Sequence, residues 1–119
     1  MQRRVLVVVG EPLSGQLAIA LRRSDHIPYL AADEATAIAL AREQRCEIAL
    51  LEIALPVRNG YRLASALRPH LAKVPLVIGI AAEIGPPPVE SIDCGMACVF
   101  VKPLELADLL ALIDRWDPT

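Results

Sequence analysis

The sequence predicts an α/β domain built on a doubly wound, five-stranded parallel sheet of order 2-1-3-4-5, with helices on both faces. Strongly apolar runs such as Val5–Val9, Ile48–Ile53 and Leu76–Ile80 read as strands buried on both faces. Helically spaced stretches alternate with them, best seen in Leu106, Leu109, Leu110 and Ile113, at i, i+3, i+4 and i+7. A chain of 119 residues holds five such strands and five helices with connections of about four residues, as compact α/β domains prefer. Right-handed crossovers between buried parallel strands then favour the 2-1-3-4-5 order.

The elements follow one another without a long gap. Val5–Val9 closes at Gly10-Glu11-Pro12, and residues 13–24 place Leu13, Leu17, Ala20 and Leu21 on one helical face, with Arg22 and Arg23 near the end, where cations suit the helix dipole. Ile27–Ala31 reads as a strand that Pro28 confines to an edge. Asp33 caps a helix that runs to about Arg45, with Ala37, Leu40 and Ala41 on one face. Ile48–Ile53 is the most apolar strand, followed by turn signals at Leu55-Pro56 and Asn59-Gly60 and a helix from Tyr61 to Leu67. Leu76–Ile80 is the fourth strand. Pro86-Pro87-Pro88 leaves room for only a short helix over Val89–Asp93, stopped by Gly95. Ala97–Val101 is the fifth strand, and the chain is expected to form one domain over 1–119 with no output domain after it.

Composition narrows the function. The net charge is −2 and there are four aromatic residues, Tyr29, Tyr61, Phe100 and Trp116, too little positive charge for a phosphate-backbone binder and too few rings for stacking on single strands. No apolar run approaches the ~20 residues of a membrane span, and no signal peptide is evident, so a cytoplasmic location with no membrane or nucleic-acid partner is expected. Cys46, Cys94 and Cys98 read as small buried thiols, and without a neighbouring His they make no metal site. Gly10 and Gly15 echo a phosphate loop but lack its Lys and Ser/Thr, so they read as a turn. Ser14 and Ser65 have no evident base, His26 and His70 read as surface or capping residues, and Arg3-Arg4 and Arg22-Arg23 read as solvated pairs.

In a sheet of this order, a site lies at the carboxyl ends of the strands where the order reverses. Strands one and three meet there, so Val9, Gly10 and Glu52 are expected to face one another.

The residues at these positions resemble the two-component response-regulator receiver domain. Arg4-Val5-Leu6-Val7-Val8 with Glu11-Pro12 is similar to its first strand. Leu50-Leu51-Glu52-Ile53-Ala54-Leu55-Pro56 with Asn59-Gly60 is similar to its phosphoacceptor strand and loop. Val99-Phe100-Val101-Lys102-Pro103 is similar to its fifth strand and Lys-Pro turn. The resemblance implies a flavodoxin-like receiver fold and places named roles on this chain. The phosphoacceptor Asp becomes Glu52, and the acidic pair that holds Mg²⁺ becomes Val9 and Gly10. The switch Thr/Ser becomes Ala81, the switch aromatic becomes Val99, and the phosphate-contacting Lys is Lys102. Of these positions only Lys102 carries the expected residue type; a one-residue slip would bring Glu11 into the pocket.

Phosphoryl transfer depends on positioning and on neutralisation of charge by metal and donors. Mg²⁺ needs oxygen ligands in near-octahedral array, and this pocket has lost both acidic side chains. The expectation is therefore an atypical, stand-alone response regulator with no cofactor, no metal and no enzymatic activity. It would act by phosphorylation-independent contacts with a protein partner (a sensor kinase or another regulator) or as a homodimer. Glu52 would form an ion pair with Lys102, and Ile84, Val99, Leu104 and Leu112 would supply the partner surface. The alternatives are a phosphotransfer-competent receiver and a flavodoxin-like small-molecule binder.

Overall fold

A computed structural model describes residues 2–53, 60–82 and 94–117 of the chain. Its elements are β1 (Arg4–Val8), α1 (Leu13–Arg23), β2 (Ile27–Leu30), α2 (Glu34–Gln44), β3 (Ile48–Ile53), α3 (Gly60–Leu67), β4 (Leu76–Ala81), β5 (Met96–Val101) and α4 (Leu106–Arg115), with a 3-10 turn at Arg68–His70. The short helix expected over 89–93 and the turn residues Leu55, Pro56 and Asn59 lie outside the described residues.

The strands form one sheet of order β2-β1-β3-β4-β5, with every neighbouring pair parallel. Alternation along each strand splits the core in two. Val5, Val7, Ile48, Leu50, Ile78 and Ile80 turn towards α1 and α4, where Leu17, Leu21, Leu109 and Ile113 cover them. Leu6, Val8, Ala49, Leu51 and Val77 turn the other way, towards Ala37 and Ala41 of α2 and Leu63, Ala64 and Leu67 of α3. Two buried faces explain why the strands read as continuous apolar runs.

Local chemistry sets the helix ends. Asp33 accepts the Thr36 N–H at 2.8 Å as the cap of α2, and that bond holds its carboxyl below the ordinary carboxylate range. The same helix stops at Arg45, whose φ of 51° is left-handed. Edge strand β2 pairs with β1 and sets Pro28 opposite Val5. That suits a residue with no N–H to give.

The fifth strand begins one residue earlier than its sequence suggests and contains a bulge. Met96 pairs with Val77 and Cys98 with Ile78, so Ala97 is the extra residue. The bulge turns Met96 towards the α2–α3 face and Cys98 and Phe100 towards the α1–α4 face. Met96 thereby packs over Gly79. A Cβ there would lie 2.5 Å from Met96 Sδ and 2.6 Å from Ile53 Cδ1, so glycine is what lets both side chains close over β4.

Gly79→Ala is therefore expected to destabilise the fold by ~1–3 kcal/mol in urea unfolding, the usual cost of overpacking. The cost should fall in a Met96→Ala background, which removes one of the two clashes. An unchanged unfolding midpoint for the single variant would contradict this packing.

Candidate functional site at the carboxyl ends of the strands

Glu52 is the penultimate residue of β3, paired with Ile80 of β4. β3 lies between β1 and β4, and β5 is the strand beyond. The Glu52 carboxylate is reached from both sides. Its Oε1 accepts the Gly10 N–H at 2.9 Å, and its Oε2 accepts the Lys102 ammonium at 2.8 Å. The Glu52 side chain is 17% exposed and that of Lys102 36%, a pair at the mouth of the site rather than in the interior.

Reach decides which residue types fit. Lys102 stands at the end of β5, two strand spacings from β3, roughly 9.6 Å. Long side chains at both ends close that gap. An Asp at position 52 would be shorter by one C–C bond, about 1.5 Å. The backbone of Lys102 is itself fixed, because its N–H donates to the Ala81 carbonyl at 2.9 Å. Ala81 ends β4 directly between the two partners. Its small side chain offers neither charge nor hydroxyl. Pro103 is exposed and follows a cis peptide bond.

The other predicted positions divide. Gly10 joins the site through its backbone, and a Cβ there would lie only 3.2 Å from Glu52 Oε1. Val9 is instead buried, 5% exposed, in the core cluster of Leu17, Leu50 and Ile80. One step past the Val8–Leu51 pair it stands level with Glu52, and as an apolar residue it is drawn into the core. Glu11 lines a cavity with Gly10 and Ser14. Its carboxylate bonds to the Ser14 hydroxyl over the first turn of α1, which also supplies Ser14 with the partner that sequence did not show.

The donor set does not fit the Mg²⁺ that the resemblance implies. Val9 and Gly10 bring no carboxylate, and both oxygens of Glu52 are engaged by donors. Among the described residues no three His, Cys, Asp or Glu side chains are grouped as a metal site. Nor is a thiol activated: burial pushes Cys46 up to about 11 and also raises Cys98. Cys46 and Cys94 are buried as expected, whereas Cys98 is half-buried beside α4.

Of the expected partner surface, Val99 and Leu112 come together. With Phe100, Asp108, Ala111 and Arg115 they line an open groove between β5 and α4, and Val99 is 41% exposed. Leu104 does not join them; it is half-buried and packs against the α1–α4 core. Ile84 lies outside the described residues.

Two sequence readings fail at the other end of the sheet. Arg3 is 7% exposed and His26 3%, so neither is a surface residue. Arg3 pairs with Glu47 at 3.0 Å, and His26 Nε2 lies 2.8 Å from Asp114. These partners stand 44 and 88 residues away in sequence, and no local pattern announces them.

The geometry predicts energetic coupling between Glu52 and Lys102. A Glu52→Gln, Lys102→Met double-mutant cycle by urea unfolding should give ~1–3 kcal/mol, between the ~0–1 of exposed pairs and the ~3–5 lost when a buried pair is broken. A coupling of zero would mean that the two side chains do not meet in solution.

Comparison with known proteins agrees with the fold. The family model for the response regulator receiver domain matches residues 5–114. The DNA-binding response regulator MtrA of Mycolicibacterium smegmatis is 30% identical over 95% of this chain and 50% of its own length. The transcriptional regulatory protein PrrA of Mycobacterium tuberculosis is 32% identical over 92% of this chain and 48% of its own. The chain thus spans about half the length of these curated relatives. The structure of chemotaxis protein CheY4 of Vibrio cholerae superposes with a TM-score of 0.84, at 23% identity, over 97% of this chain and 98% of the other. The receiver domain of sensor histidine kinase PA1611 of Pseudomonas aeruginosa, a structure with magnesium coordinated in its active-site cleft, gives 0.78 at 25% identity, covering 98% of each chain. With its sheet order, its strand-three carboxylate and its lysine after strand five, this chain belongs to the response regulator receiver domain family of two-component signalling.

Proposed function

We propose that this receiver signals without phosphorylation, acting by contact with a protein partner while Glu52 holds the site in one charge state. One observation carries the reading: both oxygens of Glu52 are engaged, one by the Gly10 N–H and one by Lys102. In the family that this chain resembles, the lysine after strand five contacts the phosphoryl group. Here a permanent carboxylate takes that contact. One negative charge meets one positive charge, and no metal is needed to balance them.

The loss of chemistry extends beyond the acceptor. A Glu in place of Asp displaces the carboxylate, and a displacement of ~1 Å can cost on the order of 10²-fold in a positioned reaction. Without the acidic pair, Mg²⁺ lacks the ligands that would place it beside an incoming phosphoryl group. The switch is missing as well. Ala81 has no hydroxyl to pull towards the site, and Val99, on the exposed side of β5, is no aromatic that could turn inward.

In this reading the protein is cytoplasmic and not an enzyme. Its contact surface is the groove where Val99 and Leu112 are brought together. The partner is a sensor kinase, another regulator or a second copy of the chain. With a net charge of −2, this domain itself is poorly suited to nucleic acid.

Thermal unfolding with millimolar Mg²⁺ and beryllofluoride, a phosphoryl mimic, tests the proposal. A ligand that binds only the native state at a hundredfold excess over Kd stabilises it by ~2.7 kcal/mol. The expected result is no change in Tm. A clear rise that needs both components would show a working acceptor pocket and overturn the proposal.

A further inference from the structure

At the end of the sheet opposite Glu52, four elements meet around one buried imidazole. His26 follows α1 in the turn into β2. Its Nδ1 accepts the backbone N–H of Arg3 at 3.0 Å in a buried bond. Its Nε2 is 2.8 Å from Asp114 Oδ1, in the last turn of α4. The buried guanidinium of Arg3 donates to Glu47 Oε2 at 3.0 Å and to the carbonyl of Trp116, the residue that ends α4. The carboxyl end of α4 is thus fastened to the starts of β1 and β3 by one imidazole and one guanidinium.

The ring has a fixed protonation pattern. A backbone amide only donates, so Nδ1 must be bare, and the single ring proton sits on Nε2 and is donated to Asp114. We propose that this arrangement is a pH-sensitive latch on the end of α4. A proton taken from solvent onto Nδ1 removes the lone pair that accepts the Arg3 N–H. Two donors then face each other across the space of the former bond, an arrangement costly in a buried place. The latch opens, and Asp114 and Trp116 are released with it. The open form carries one more proton than the closed one, so acid favours opening.

Other charges do not reverse that sign. Asp114 favours a charged ring, but its side chain is 56% exposed and water screens its field. Arg3 and Glu47, from the starts of β1 and β3, neutralise each other. Asp25, next to His26 in the chain, Arg22 and Arg23 at the end of α1, and Arg115 and Asp117 at the end of α4 are exposed.

The latch stands apart from Glu52, yet α4 joins it to the rest of the molecule. Ala111, Leu112 and Arg115 line the groove shared with β5. Loosening the last turn of α4 alters that surface without using the strand-three site. This consequence rests on the contact surface proposed above; the latch itself does not.

The test is amide hydrogen exchange on the full chain at pH 7.5 and 5.0, corrected for intrinsic exchange, together with ¹⁵N NMR of the His26 ring. At pH 7.5 the ring should be the Nε2–H tautomer. Protection of the last turn of α4 should fall about tenfold or more at pH 5.0. His26→Gln should abolish this response, and Glu52→Gln should keep it. An Nδ1–H tautomer at pH 7.5, a wild-type response that is absent, or an equal response in His26→Gln would overturn the latch. A response lost in Glu52→Gln would overturn it too, because acid would then be acting through the other end of the sheet. The tautomer and the wild-type response decide the matter even if His26→Gln fails to fold.

Discussion

The Glu52 carboxylate is held between the Gly10 N–H and the Lys102 ammonium, and this bridge depends on sheet order. β3 lies next to β1, which puts the backbone after β1 within reach of one oxygen. β4 separates β3 from β5, so the second contact must cross a strand. It does so through two long side chains above Ala81, whose carbonyl also fixes the Lys102 backbone. The parallel sheet aligns all these carboxyl ends, and its two apolar faces hold the strands in register beneath them.

The bridge alters what a receiver fold can do. The lysine that meets a phosphoryl group in relatives with an Asp acceptor is here occupied by the protein's own carboxylate. Among the described residues no acidic pair flanks Glu52, and neither Ala81 nor Val99 brings a hydroxyl or a ring between the site and the β5 edge. If, as proposed, this receiver signals without phosphorylation, its control lies elsewhere on the surface, and α4 is well placed for it. Its start follows Lys102 and Pro103, its flank faces β5, and its end is fastened to His26 and Arg3. One helix therefore joins the Glu52–Lys102 end of the sheet to a second, chemically different anchor.

Much of this could be read from the sequence, because strongly patterned chemistry is local. Strands buried on both faces appear as apolar runs, Asp33 lies where a cap belongs, and a carboxylate in strand three with a lysine after strand five predicts a pair. What could not be read depends on tertiary contacts. The bulge at Ala97 shows only in the register of β5 against β4. Val9 stands level with Glu52, as its position suggests, but that the core takes its side chain shows only in the packing. Arg3 and His26 look like surface residues because charge and polarity usually mean exposure; their partners Glu47, Asp114 and Trp116 lie far along the chain. Leu104 is expected on the partner surface because it follows strand five near Val99, and its packing against the α1–α4 core shows how little sequence distance says about facing.

Hydrogen exchange at the Gly10 amide tests the Glu52 bridge most directly. A bond to a charged acceptor contributes ~1.5–3 kcal/mol, which corresponds to roughly ten- to a hundredfold slower exchange. In the wild type the Gly10 amide should be protected, and Glu52→Ala should remove that protection while the amides of β1 stay slow. Rapid exchange of Gly10 in the wild type, or protection unchanged in the variant, would show that the carboxylate does not hold this site.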